Sequence, residues 1–396
     1  MNRKPFFLVS INYFAFFLCI GAFSPFITLY LQNAGWSGFQ IGIYSAVGPL
    51  VTFLTQPLWG LISDAWGNIR LLYALLMLGT GIITIVFGLL PVTAVFLLLP
   101  LLLGITQGPL NPMLDSIAIQ MLGENRNNLG RTRLWGSISF ASISFVMGSL
   151  FARNNSAIFY GYALAAIFAT LMIYQVPASS LDVGDQGKEV DFRWSSIRQA
   201  LSHRFTTFLG AVFLLQLAHH MALSFLSVVM ADRGATSTLV GYAWSFTAVV
   251  EIPVFFLSTR LLENYEPEKL LAAAGFITTV RLGLFSITHE PWLMVFTHAI
   301  DGLAFPLIMV SLVLVVDKLV PAELRTTGLT VQAAVSITLP RLLGSLLGGR
   351  IYDKLGGSMV FYVSTILALI GSTAIVFWHS WDVKTTPKQQ TPELKS

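Results

Sequence analysis

The sequence predicts an all-α membrane protein whose twelve transmembrane helices form two bundles of six. Three observations carry this expectation. The chain is 55% hydrophobic and only 11% charged, where a soluble globular protein carries about 25% charge. Apolar runs recur that reach the ~20 residues needed to cross ~30 Å of hydrocarbon at a rise of ~1.5 Å each. One long polar stretch, Val176 to Phe205, separates the sixth run from the seventh.

The first run, from Phe6 to about Leu31, follows Met-Asn-Arg-Lys. It exceeds the ~7–15 residues of a signal-peptide core, so it reads as an uncleaved first span. The spans of the first bundle are expected at 6–31, 38–61, 71–90, 95–120, 134–152 and 155–176. Those of the second are expected at 206–230, 238–259, 270–288, 291–316, 327–350 and 357–380. Backbone groups in hydrocarbon must be satisfied internally, which selects helices over open strands. The chain thus divides into a first bundle (1–176), a cytoplasmic linker (177–205), a second bundle (206–380) and a cytoplasmic tail (381–396). Within the linker, Asp191–His203 has the pattern of a short amphipathic surface helix or of a solvated connection. Six spans, a linker and six spans is the layout of a transporter with its site near the midplane between two similar halves.

Of the 23 Lys and Arg, only Arg153, Arg233, Arg350 and Lys354 fall in loops opposite the termini, and Arg281 and Arg341 lie within spans. The remaining 17 share the side of the termini. Basic residues favour cytoplasmic loops, so both termini are expected inside a multi-pass protein of the cell membrane. The net charge of +4 resides in these short loops and builds no basic face, which argues against a nucleic-acid partner. Cys19 is the single cysteine, so no intrachain disulfide or Cys-based metal site can form.

Six titratable groups stand inside the apolar runs: Asp115, Glu251, Arg281, His298, Asp301 and Arg341. Each costs ~2.5–3.5 kcal/mol or more at bilayer depth and is a functional candidate for that reason. Asn111 and Gln107 precede Asp115 by one and two helical turns and are expected on its face. Glu251 has no basic neighbour in its own span, and a carboxyl removed from water favours its protonated form. That suits a group that takes up and releases protons. His298 and Asp301, three apart, share a face and are expected to relay a proton or to hold a structural hydrogen bond. Arg341 follows Pro340, which is expected to disturb its helix locally. It is read as a counter-charge to Asp301 or as a contact for an anionic solute. His219 and His220 face different directions, and no converging set of metal ligands is apparent.

Between spans two and three runs Gly60-Leu-Ile-Ser-Asp64-Ala-Trp-Gly67-Asn-Ile-Arg70. Its glycines permit a tight turn, and its acid and base are placed to clamp two helices at the cytoplasmic face. At this place in a twelve-span chain it resembles the signature loop of the major facilitator superfamily. Gly21-Ala-Phe-Ser-Pro-Phe26, Gln56-Pro-Leu-Trp-Gly60 and Gly130-Arg131-Thr-Arg133-Leu-Trp135-Gly136-Ser137 narrow the resemblance. They are similar to the sugar–proton symporter branch typified by lactose permease, with nucleoside and phenylpropionate permeases as near relatives. The resemblance implies that Asp115 is the acidic solute ligand and that Arg133 is its partner. It also implies that Phe140 stands where the relatives stack an aromatic ring on the sugar. Alignment on Phe305-Pro306 puts Asp301 where relatives carry a His, and Ala304 where lactose permease carries its coupling acid. Asp301 or Glu251 must therefore take that role.

The expected function is proton-coupled import of a small polar organic solute, such as a sugar, nucleoside or aromatic acid. Asp115, Arg133, Asn111, Phe140 and Gln107 bind it. Glu251, Asp301, His298, Arg281 and Arg341 couple protons, and Gly60, Asp64, Gly67 and Arg70 gate. The partners are the solute, protons and the bilayer, and a monomer suffices. No cofactor or metal is expected. A proton-driven exporter of amphipathic compounds is the alternative within transport. The sequence has no His-Glu-x-x-His, Gly-x-Ser-x-Gly or Walker loop, so a membrane enzyme or ATP-driven pump has nothing to work with.

Overall fold

The computed structural model of the chain describes residues 3–90, 97–123, 129–177, 201–321 and 324–385. The expected amphipathic segment at 191–203 lies outside the described residues, except for its last three. The described residues form helices throughout, with no strand among them. Ten helical stretches are long and apolar enough to cross a membrane. The other two spans are irregular. Span six is the 17-residue helix Ala157–Ile173. Span four, expected as one helix over 95–120, is broken into Leu98–Gln107 and Leu110–Leu122.

Proline causes that break and two others. A proline has no N–H for the carbonyl four residues earlier, and in hydrocarbon that carbonyl needs another donor. Pro109 frees Ile105, and the Trp59 indole N–H of span two (Gly38–Trp66) donates to it at 2.7 Å. Pro25 ends the first helix of span one, Arg3–Phe23, before Ile27–Asn33. The freed Gly21 carbonyl accepts from the Ser144 hydroxyl of span five (Leu129–Arg153) at 3.1 Å. In span eleven, Pro340 follows a π-helical turn, Ala334–Thr338, that joins Arg325–Ala333 to Leu339–Leu355. The Ser336 carbonyl accepts from the Gln216 side chain of span seven (His203–Asp232) at 3.0 Å. The expected disturbance at Pro340 is therefore present.

Side-chain caps start several of the other helices. Ser37 and Gln40 form a capping box for span two, while Ser202 caps span seven. Thr236 caps span eight (Ser237–Asn264). Each satisfies N–H groups that a helix start leaves open. Spans three (Ile69–Leu89), nine (Pro267–Ile287) and twelve (Gly357–Thr385) are continuous. Span ten breaks at Ile300 between Pro291–Ala299 and Asp301–Leu319.

The two bundles meet on the face opposite the termini. Among the described residues, every hydrogen bond between them lies there. Ser227 donates to the Pro25 carbonyl at 2.6 Å. Gln32, Asp232 and Tyr352 share a network at 2.7–3.1 Å. Asp353 accepts the backbone N–H groups of Gly38 at 2.6 Å and Phe39 at 2.8 Å. Its carboxylate therefore sits on the positive end of span two, and Arg350 lies over the Phe39 ring. A Cβ added to Gly148 would stand 2.7 Å from the Ser237 carbonyl, so spans five and eight touch backbone to backbone.

Asp353 belongs to Gly349-Arg-Ile-Tyr-Asp353-Lys-Leu-Gly356, which repeats the spacing of Gly60-x-x-x-Asp64-x-x-Gly67 at the opposite face. In this seal the second copy is engaged. Removing its charge should loosen the seal, with a stability loss of ~1 kcal/mol typical of a lost N-cap. We expect Asp353→Asn to raise labelling of a cysteine placed at the buried Ser345 by an impermeant maleimide. Native Cys19 is buried and adds little background. Unchanged labelling would contradict the latch.

Candidate functional site

At mid-span depth in the second bundle, four elements bring ionisable groups together. Arg281 of span nine is buried. Its Nε stands 3.1 Å from Asp301 Oδ1 at the start of the second helix of span ten, without the alignment of a hydrogen bond. Arg281 also meets His298 Nδ1 at 3.2 Å. His219 of span seven brings its Nδ1 to 3.6 Å from the same Asp301 oxygen. The break at Ile300 lets His298 and Asp301 reach one guanidinium, and Thr247 of span eight donates to the His298 carbonyl at 3.2 Å. A Cβ on Gly302 would stand 2.5 Å from the Thr247 carbonyl, so glycine is what allows spans eight and ten to close there.

The counter-charge of Asp301 is Arg281 and not Arg341, which corrects one of the two roles expected for Arg341. Spans nine and ten are neighbours, whereas Arg341 on span eleven acts on His219 and His220. His220 does not point away from the cluster: its ring lies 5.3 Å from that of His219. Glu251 of span eight is half-buried and makes no ion pair or hydrogen bond among the described residues.

In the first bundle, Asp115 Oδ1 accepts from the Tyr13 hydroxyl at 2.5 Å. Asp115 Oδ2 stands 3.9 Å from Arg133. The Arg133 side chain is 51% exposed and that of Asp115 29%. Both are therefore partly exposed, and their contact is longer than a hydrogen bond. Asn111 Oδ1 is buried without a partner. Gln107 ends the first helix of span four, and its amide donates to the Tyr162 hydroxyl at 2.9 Å.

Aromatic rings carry the second-bundle cluster across to span five of the first bundle. Phe140 meets Trp244 edge to face at 6.2 Å between centroids, and Trp244 meets His298 at 5.4 Å. Trp244 is anchored by its indole N–H to Ser227 Oγ at 3.2 Å. Tyr13 and Trp244 escaped the sequence reading. An aromatic residue in an apolar span gives no sign of which way it faces.

At the expected gate, Gly67 ends span two with φ +67°, a conformation glycine adopts without penalty. Gly60 has open space around it. The Asp64 side chain lies outside the described residues. Among the described side chains, Arg70 pairs with no acid. It donates to the Val176 carbonyl at the end of span six at 2.8 Å and lies over the Tyr174 ring. Elsewhere, ligand atoms of Glu266, Glu268 and His379 come within 4.8 Å of one another. Lys318 pairs with Glu268, and His379 and Lys269 pair with Glu266, so these groups compensate one another.

Twelve spans in two bundles, with paired charges inside and the bundles sealed at one face, define a multi-pass membrane transporter. The profile of the MFS_1 like family matches residues 6–363. The chain is 28% identical to a maltose permease of Geobacillus stearothermophilus, over 91% of each chain. It is 25% identical to the "Probable 3-phenylpropionic acid transporter" of Escherichia coli K12, over 91% of this chain and 94% of that one. The crystal structure of the nucleoside transporter NupG superposes with a TM-score of 0.82 at 16% identity, covering 96% of this chain and 99% of that one. The chain belongs to the MFS_1 like family, and it is a secondary transporter of small organic solutes.

Removing one partner of a buried ion pair costs about 3–5 kcal/mol, because the other charge is left alone. Arg281→Gln should therefore lower unfolding stability in detergent by about that much. Adding Asp301→Asn to it should recover most of the loss. A double variant no more stable than the single one would contradict the pairing.

Proposed function

We propose that the chain imports a sugar, nucleoside or aromatic acid together with protons. In this reading the bundles 1–176 and 206–380 rock about a site between them. The observation that carries it is the incompletely satisfied cluster on Arg281. Arg281 Nη2 and His298 Nε2 are buried without hydrogen-bond partners, and the cluster touches the other bundle through Trp244 and Phe140. A buried network left partly unsatisfied costs stability. A device that binds and releases something retains that capacity.

The solute contacts are Asp115, Arg133, Asn111 and Phe140. Tyr13 holds Asp115 in orientation, and Gln107 supports the wall through Tyr162. Asp301 has a counter-charge and Glu251 has none. An unpaired charge is costly away from water, so Glu251 is the acid that travels with its proton. It gives the proton up where the site meets water. Arg281, His298 and His219 hold Asp301 throughout the cycle. With both termini cytoplasmic, as the basic-residue asymmetry supports, the seal at Asp353 is extracellular and this state is open to the inside. Gly60, Asp64, Gly67 and Arg70 gate the cytoplasmic face in the opposite state. One chain holds both half-sites, so a monomer suffices.

Two outcomes test this reading. Asp115→Asn and Arg133→Gln should each weaken solute binding on the order of tenfold or more, the effect of losing a charge-assisted contact. The protein should remain folded. Unchanged affinity in both, measured by calorimetry on purified protein, would remove Asp115 and Arg133 from the site. Glu251→Gln should preserve solute-for-solute exchange in proteoliposomes but abolish uphill accumulation driven by a proton gradient. Accumulation that survives this substitution and still collapses with a protonophore would exclude Glu251 as the carrier.

A further inference from the structure

Not every interior charge has a partner. Asp301 neutralises Arg281, and Asp115 stands against Arg133. Arg341 has no hydrogen bond or ion pair among the described residues. Its side chain is exposed. Its titratable neighbours are His219 and His220, which bring no negative charge. His220 Nε2 is buried and unpartnered.

The backbone before Arg341 is held in an uncommon form. π-turns occur mostly singly and often at functional sites. This one is braced from two sides. Gln216 donates to the Ser336 carbonyl at 3.0 Å, and the Gln332 amide donates to the Ser336 hydroxyl. A wide turn, a proline and two glutamines fix where Arg341 enters the interior. A guanidinium left without a counter-ion inside a membrane protein is expensive.

We propose that Arg341 is the anion-binding residue of the solute site and that the solute is an organic monocarboxylate. One guanidinium matches one carboxylate, because its planar fork donates two parallel N–H groups to the two oxygens. His220 Nε2 supplies a further contact. The Phe140–Trp244 pair, joined to the same cluster through His298, suits an aromatic body. This assignment rests on the reading of the interior as the solute path. It selects the acid over the sugar and the nucleoside.

The test is calorimetry on the full chain in nanodiscs with three probes: 3-phenylpropanoate, its neutral amide, and maltose. The acid should bind the wild type, with the amide weaker on the order of tenfold or more. Arg341→Gln should lose acid binding by a similar factor. Arg341→Lys keeps the charge but not the fork, and should fall between them. That variant carries the test if Arg341→Gln does not fold. Equal affinity for acid and amide, or acid binding undiminished by loss of the guanidinium, overturns the assignment. Maltose binding alike to wild type and Arg341→Gln, with no acid binding, also overturns it and leaves the transport reading standing. Binding of none of the three overturns the acid assignment and leaves the transport reading to a nucleoside.

Discussion

A backbone carbonyl without a donor is not tolerated in hydrocarbon, and the architecture follows from how three such carbonyls are satisfied. Pro25, Pro109 and Pro340 each deprive a carbonyl of its N–H. Ser144, Trp59 and Gln216, each from a different span, replace it. These bonds fix spans one to five, four to two and eleven to seven at defined heights. The same breaks lie beside the functional candidates. Asn111 and Asp115 follow Pro109, and Arg341 follows Pro340. The break at Pro25 leads into the seal, where the Pro25 carbonyl itself accepts from Ser227. Irregular backbone is confined to places where protein can pay for it, and those places are where the charges are.

The charges divide into held and free. Arg281 and Asp301 hold each other, with His298 and His219 alongside. Asp115 and Arg133 make a looser pair, partly exposed. Glu251 and Arg341 are left without partners among the described residues. A protein that needed only rigidity would have little use for them. A proton on Glu251 and an anion on Arg341 would complete the electrostatics, and both can leave.

Span count, polarity and the interior charges were legible in the sequence because hydropathy over 20 residues is a strong signal. The family was legible in the loop at Gly60–Arg70 and the run at Gly130–Ser137. Pairings across spans were not. Arg281 and Arg341 are equivalent on paper as partners for Asp301, and only packing decides between them. The bond from Gln107 to Tyr162 joins two spans, and no local pattern announces it. Tyr13, Trp244, Gln216 and Gln332 resemble many other residues until their partners are known. The second Gly-x-x-x-Asp-x-x-Gly, at Gly349–Gly356, was readable as a repeat. Its meaning required seeing Asp353 on the start of span two.

The central claim is that the two bundles move as bodies about the site between them, exchanging one seal for another. Spin labels at Ala34 and Lys354 report the face opposite the termini, and labels at Ala65 and Glu263 report the face of the termini. All four positions are exposed. Double electron–electron resonance distances, taken across a pH range with and without a bound solute, test the claim directly. The account predicts two populations in which the first distance lengthens as the second shortens. Distances that stay fixed, or that lengthen together, would contradict it.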